Sequence, residues 1–330
     1  AVIQDVLDLT NPTFKKMYRE TYAFLITKLA WLWGFMFALL DVPLLQPAVL
    51  FARRVYNACN TQAFVKYLEE EQFDVIITTH FMPVEVVSAL KRKGQVAVKL
   101  ICVITDYDVH RIWLGDGVDM YCCACEVTKN RLIQFHVPKE KIAMTGIPTD
   151  EKFSHQQDIS ELKSKIGLAS DRFTVLMATG SFGIGPIEEV LQELVEGFQV
   201  MVICGRNEAL FNTLHPKFGT RAKIYQHVDN MDELMKASDA MVTKPGGLSI
   251  SEALVTGLPL IFFHPIPGQE TNNIAVLRMF DVGMATSSIK DIVTELRSLK
   301  DSVDLYQRKK EATLRLARPN AAREICGLIE

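Results

Sequence analysis

Short apolar runs, hydrophobic on both faces, recur along this chain between amphipathic helical segments. In the first half they are Asp74-Val75-Ile76-Ile77-Thr78, Val98 to Ile104 and Met120 to Ala124. In the second half they are Phe173 to Ala178, Val200 to Cys204, Lys223 to Tyr225, Ala240 to Thr243 and Leu260 to Phe263. Strands without a polar face, alternating with helices, predict parallel sheets covered on both sides. The expected helices include Asn60–Glu71, Pro83–Lys93 and Glu126–Phe135. Ligands of such sheets gather beyond the carboxyl ends of the strands. His80, Asp106, Asp108 and His110 all stand at such ends. After Thr145-Gly146-Ile147-Pro148 a polar stretch, Asp150 to Asp171, reads as an exposed helix and linker. It separates a domain at 1–150 from one at 151–330, and 330 residues suffice for two cores. Val2 to Leu7 reads as one further strand.

The most specific local pattern is Lys244-Pro245-Gly246-Gly247-Leu248-Ser249-Ile250-Ser251-Glu252-Ala253. It leaves an expected strand and enters a helix that stops at Gly257. Free backbone N–H groups and the positive end of the helix dipole make such a turn an anion site. Two glycines let a diphosphate approach the backbone closely. A second polar loop, Pro265-Ile266-Pro267-Gly268-Gln269-Glu270-Thr271-Asn272-Asn273, follows. Together the loops suit a nucleotide diphosphate carrying a polar group such as a sugar. Ser249 and Glu252 also fit a capping box, in which they only satisfy helix donors. Lys244 also reads as a solvated surface lysine.

Other candidates are weaker. Gly180-Ser181-Phe182-Gly183-Ile184-Gly185 is a glycine-rich turn after a strand, but it lacks the dinucleotide order. The next strand ends in Cys204-Gly205-Arg206, without an acid for a dinucleotide ribose. Asp106-Tyr107-Asp108 could ligate a metal, but Lys244 and a helix dipole already offset diphosphate charge, so neither metal nor cofactor is expected. His80 and His110 are either general bases or hydrogen-bonded structural residues. Cys122, Cys123 and Cys125 read as buried thiols, because neighbours on a strand face opposite ways. A net charge of -3 gives no case for nucleic acid. Local basic clusters (Lys15, Lys16 and Arg19; Arg53 and Arg54; Lys91, Arg92 and Lys93) suit solvent or anionic lipid. The apolar run between Lys28 and Asp41 is too short to cross a bilayer. Trp31, Trp33 and Phe35 there suggest contact with a membrane surface, with His80 a further candidate on the same side.

Thr105 to Trp113, Thr145 to Pro148, Val228-Asp229-Asn230-Met231, Lys244 to Glu252 and Pro265 to Glu270 resemble glycosyltransferase family 28. The nearest branch comprises the processive diacylglycerol glucosyltransferases and monogalactosyldiacylglycerol synthases. The resemblance spans nearly the whole chain. It implies an α/β GT-B-like fold, two Rossmann-like domains facing a cleft, with the last helix packing back on the amino-terminal domain. It implies inverting transfer of a hexose from UDP-glucose or UDP-galactose to diacylglycerol, by a peripheral protein on the cytoplasmic face of the cell membrane. By the family pattern Glu252 holds the ribose, and Gly246, Gly247 and Ser249 line the diphosphate. Gln269 and Glu270 bind the sugar, and His227 and Val228 border the uracil. Gly183, Arg206, Lys244 and Asn273 complete the expected donor site, while Asp106, Asp108 and His110 are the expected acceptor-side groups. The family's first strand and Gly-His-rich loop have no counterpart here, so the chain is expected to be an amino-terminal truncation or to use another base. Two alternatives remain open: a UDP-sugar-binding protein without transfer, and a transferase acting on a polyprenyl-linked acceptor.

Overall fold

The computed structural model describes residues 1–180, 183 and 185–330. Of the glycine-rich turn, Ser181, Phe182 and Ile184 lie outside the described residues. The chain forms two compact units. The first comprises Ala1–Ile147, Ile266–Gln269 and Arg323–Glu330; the second comprises Pro148–Pro265 and Glu270–Ala322.

The first unit holds strands β1 (Val75–Thr78), β2 (Lys99–Val103), β3 (Met120–Cys122) and β4 (Ile142–Ala143), all parallel and in that order. Leu100, Cys102 and Ile104 point into a core with Val84, Val87, Trp113 and Leu132. Ile101, Val103 and Cys122 fill the other face against Ile325. That two-sided burial is why these strands carry no polar face. Cys122 and Cys123 are buried, and burial pushes their thiols up to about 11 and about 12.

The expected strand at Val2–Leu7 is absent. A 3-10 turn, Val6–Leu9, stands there instead, because the Asp5 carboxylate accepts the Leu7 N–H at 2.9 Å and closes a local turn. Arg19 and Lys15 pair with Asp5 and Asp8 and fix that turn to the helix Pro12–Lys28.

The second unit holds β5 (Thr174–Ala178), β6 (Gln199–Ile203), β7 (Lys223–Tyr225), β8 (Ala240–Thr243), β9 (Leu260–Phe262) and β10 (Met284–Ala285). All pairings are parallel, in the order β10-β9-β8-β5-β6-β7. The chain builds outward from β5 through β6 to β7, then returns to the other side of β5 with β8. The strand order therefore reverses between β5 and β8, and the loops leaving their carboxyl ends diverge. Thr243 on β8 donates to the Ala178 carbonyl on β5 at 2.6 Å and ties the two strands at that end. The stretch expected as helix and linker is a 3-10 turn, Glu151–Ser154, and a helix, Ile159–Ile166, capped by Asp158 and ended by Gly167.

Both sheets start their strands with the same device. Asp119 precedes β3; its N–H donates to Leu100 O at 2.9 Å and its carboxylate accepts Leu100 N–H at 2.7 Å. Asp239 precedes β8; its N–H donates to Thr174 O at 2.8 Å and its carboxylate accepts Thr174 N–H at 2.7 Å. A lysine completes each, Lys91 for Asp119 and Lys163 for Asp239. The side chain supplies an acceptor that the ladder lacks at its first rung. Asp239→Ala should lower unfolding free energy by about 1–3 kcal/mol, read from urea midpoints at pH 7. An unchanged midpoint would show the clamp to be inert.

Candidate functional site

The switch point of the second sheet carries the anion-site residues. Lys244 follows β8 directly, and the helix Gly247–Thr256 begins three residues later with Gly246 as its N-cap. The helix ladder starts with Ile250 N–H donating to Gly246 O at 3.0 Å. The N–H groups of Gly247, Leu248 and Ser249 consequently have no acceptor within the helix. This placement overturns the capping-box reading: Ser249 lies inside the first turn and Glu252 a turn beyond it, so neither caps the helix. Glycine at the cap offers no side-chain acceptor of its own, and the donors stay available to an anion.

Lys244 is 7% exposed. Among the described residues no carboxylate pairs with its ammonium within ion-pair distance. Burial lowers its pKa, and the Glu270 carboxylate partly opposes that. The surface-lysine reading is thereby excluded. A buried cation without a paired counter-ion is costly unless an anion completes it. His264, after β9, is in turn lowered by burial and by the charge of Lys244.

Neighbouring residues fix the loop. Asn273 is fully buried, and its amide donates to the Pro245 carbonyl at 3.0 Å. It therefore holds the backbone of the Lys244–Gly247 turn. Gly183 is buried with a left-handed backbone, and a Cβ there would lie 2.9 Å from Leu210 Cδ2. Thr179, just past β5, keeps a buried hydroxyl without a partner among the described residues.

Glu252 is half-buried on the helix Gly247–Thr256. Burial raises its carboxyl to about 7, against the lowering effect of Lys152. Lys152 also donates to the Asp229 carbonyl at 2.9 Å, in the segment that carries His227 and Val228. Val228, after β7, is half-buried, whereas Arg206, after β6, is exposed. Lys152 thus links the expected ribose and base positions. It escaped sequence reading because it lies in a polar stretch with no motif around it.

The acceptor-side residues lie in the first unit. His80 is exposed and caps the helix Phe81–Arg92, with Nδ1 accepting Met82 N–H at 3.2 Å. His110 Nδ1 accepts Ile112 N–H at 3.0 Å, so Nε2 carries the proton and donates to Phe37 O at 2.8 Å. Both ring nitrogens are spent on backbone, which makes His110 a structural cap and not the base expected from sequence. Asp106 is 6% exposed and binds Gln269, whose amide nitrogen lies 2.8 and 2.9 Å from the two carboxylate oxygens. Asp108 is half-buried and acts electrostatically on His110.

On the helix Ala30–Leu39, Trp31 and Phe35 are 69% and 62% exposed. Trp33 differs from expectation: it is half-buried, edge-on to Tyr22 at 5.3 Å. No single helix among the described residues is long and apolar enough to cross a membrane. The pair Pro12–Lys28 and Ala30–Leu39 passes by composition but is bent by 111°.

Two parallel-sheet α/β units, one with an anion site at its switch point, define the GT-B class of nucleotide-sugar proteins. Solved structures agree on the fold. UDP-N-acetylglucosamine 2-epimerase from Neisseria meningitidis, bound to UDP-GlcNAc, matches with a TM-score of 0.61 at 13% identity, over 81% of this chain and 79% of that one. MurG of Acinetobacter baumannii matches at 0.55 and 14% identity, over 81% and 76%. Anabaena HepE in complex with UDP matches at 0.55 and 15% identity, over 88% and 84%. The monogalactosyldiacylglycerol synthase family model matches residues 1–149, and the glycosyltransferase family 28 C-terminal domain matches 174–324. Processive diacylglycerol beta-glucosyltransferases of Bacillus mycoides and Bacillus cereus are 32% identical over 79% of this chain and 69% of their own length. The chain belongs to the diacylglycerol glycosyltransferase branch of family 28, and is a UDP-sugar-dependent glycosyltransferase of that type.

The carboxyl of Glu252 carries a pH test. Ribose hydroxyls donate best to its ionised form, so UDP affinity should fall as pH drops below about 7, by up to about tenfold per unit, and level off above it. Glu252→Gln should abolish that dependence in calorimetric titrations between pH 5.5 and 8.5. A pH profile identical in the variant would remove Glu252 from the ribose site.

Proposed function

We propose that this chain transfers a hexose from a UDP-hexose to diacylglycerol at a membrane surface, inverting the anomeric carbon. Glucose is the first choice of sugar, since the curated relatives carry the glucosyltransferase name. The observation that carries the reading is the buried Lys244, three residues ahead of a helix whose first N–H groups have no acceptor within it. As the glycosidic bond to UDP breaks, negative charge grows on the leaving diphosphate, and fixed donors there stabilise the transition state more than the ground state. Inversion follows when the acceptor hydroxyl attacks the anomeric carbon from the face opposite UDP. Its proton must pass to a base. With both His110 nitrogens on backbone and Asp106 engaged by Gln269, the base in this reading is Asp108.

Labelled UDP-glucose or UDP-galactose supplied with diacylglycerol vesicles tests the reaction. The product should be a β-linked glycolipid from an α-linked donor, resolved by the anomeric proton coupling. Lys244→Ala should lower kcat/KM about 10²–10³-fold. Nucleotide binding without any glycolipid would leave a binding protein in place of a transferase.

We also place the protein on the cytoplasmic face of its membrane, on anionic lipid. Exposed Trp31 and Phe35 on one helix face, with Lys15, Lys16 and Lys28 on the preceding helix, support that reading. Replacing Trp31 and Phe35 together by serine should cut partition onto anionic vesicles by about tenfold or more. Unchanged co-sedimentation would release this helix from the role.

A further inference from the structure

We propose that Asp106 is a positioning residue for the donor sugar: its carboxylate holds the Gln269 amide by the nitrogen and so presents the amide oxygen to a sugar hydroxyl. The inference rests on the reading of Gln269 as a sugar ligand. A glutamine amide offers a donor end and an acceptor end, and a half-turn about its terminal bond exchanges them. Which end faces the ligand is usually a matter of its neighbours. Here the neighbour settles it. Gln269 Nε2 lies 2.8 Å from Asp106 Oδ1 and 2.9 Å from Oδ2. The nitrogen donates to both carboxyl oxygens at once, and a flipped amide would set oxygen against oxygen. The bond is charge-assisted, and Asp106 is buried, so water competes little for it.

The backbone before Gln269 is held as firmly. Gly268 has φ +88°, and a Cβ there would come 2.8 Å from Phe37 Cδ1. The Phe37 ring in turn stacks on His110 at 4.1 Å, and its carbonyl accepts the His110 Nε2–H. The loop Thr105–His110 therefore fixes both the path of the chain into Gln269 and the roll of its side chain. A sugar hydroxyl meeting Gln269 finds an acceptor and must donate. This constrains which epimers and which hydroxyl orientations bind well. Asp106 needs no contact with the sugar for this, and it takes no proton from the acceptor.

The test compares affinities for UDP and for the UDP-hexose, measured by calorimetry without acceptor lipid. Asp106→Asn turns the partner into a group that also donates, and releases the amide of Gln269. It should leave the Kd for UDP within about twofold and weaken the UDP-hexose about tenfold. Asp106→Asn combined with Gln269→Glu reverses the pair. The introduced amide would donate to one oxygen of the introduced carboxylate, while the other oxygen faces the sugar. UDP-hexose affinity should return to within about threefold of the unmodified chain. Equal weakening of both nucleotides, no change in either, or a loss of kcat alone in D106N would each overturn the proposal. If D106N does not fold, Q269E alone decides. Two facing carboxylates should then lose UDP-hexose affinity as pH rises, whereas a glutamate acting only through its own acceptor oxygen would keep it. The donor-site reading fails separately, if the unmodified chain does not bind UDP at all.

Discussion

The buried ammonium of Lys244 is the constraint around which the second unit is organised. A cation at 7% exposure, with a lowered pKa and no carboxylate paired to it among the described residues, is a net cost to folding. It is tolerable because the sheet order reverses between β5 and β8 and leaves a crevice there by topology alone. The strand ends are then tied by Thr243 to Ala178 and the loop by Asn273 to Pro245. These neutral bonds hold the backbone without neutralising the charge. The stability lost at the crevice is offset in the sheet itself, where strands are buried on both faces and the Asp239 clamp satisfies the first rung of β5.

Much of this was legible in the sequence, for a physical reason. A strand buried on both faces needs an unbroken apolar run, and Lys223–Tyr225 and Ala240–Thr243 coincide with β7 and β8. Strands β4 and β10 are two residues each and were not legible, because two residues carry no periodicity. Val2–Leu7 misled because its apolar residues suggest a strand while Asp5 bends the backbone through its own side chain. The turn from β8 into the helix Gly247–Thr256 was legible because Pro245, Gly246 and Gly247 break the apolar run at that point. Three things were not: that Asn273 faces the loop carbonyl, that Lys152 bridges towards Glu252, and that His110 spends both nitrogens on backbone. Each depends on side-chain directions or on residues far apart in the chain, and no local pattern encodes the meeting.

The two histidines show how a backbone cap decides chemical role. Each stands at the end of a strand–loop segment, where a base would be useful. Each instead accepts a backbone N–H two residues ahead, as an aspartate or serine cap would. A histidine whose Nδ1 accepts that bond resists protonation there, and burial lowers His110 further. In the proposed transfer, proton acceptance then falls to the carboxylate of Asp108, on the same loop as His110.

The helix Ala30–Leu39 joins the exposed aromatic surface to the loop that carries Gln269. It is apolar all round, so polarity does not assign its faces; neighbours do. Trp31 and Phe35, four apart, are exposed together. Gly34 and Phe37, three apart, lie against Pro267 and Gly268, with Gly34 close enough that a Cβ would sit 2.6 Å from Pro267 Cβ. One rigid element thus carries an unburied aromatic face and, on its other side, the backbone leading into Gln269. A helix with about 3.6 residues per turn cannot roll about its axis without moving both faces. Any surface that captures the aromatic face therefore also restricts the chain leading into Gln269, with Phe37 as the point of contact between them.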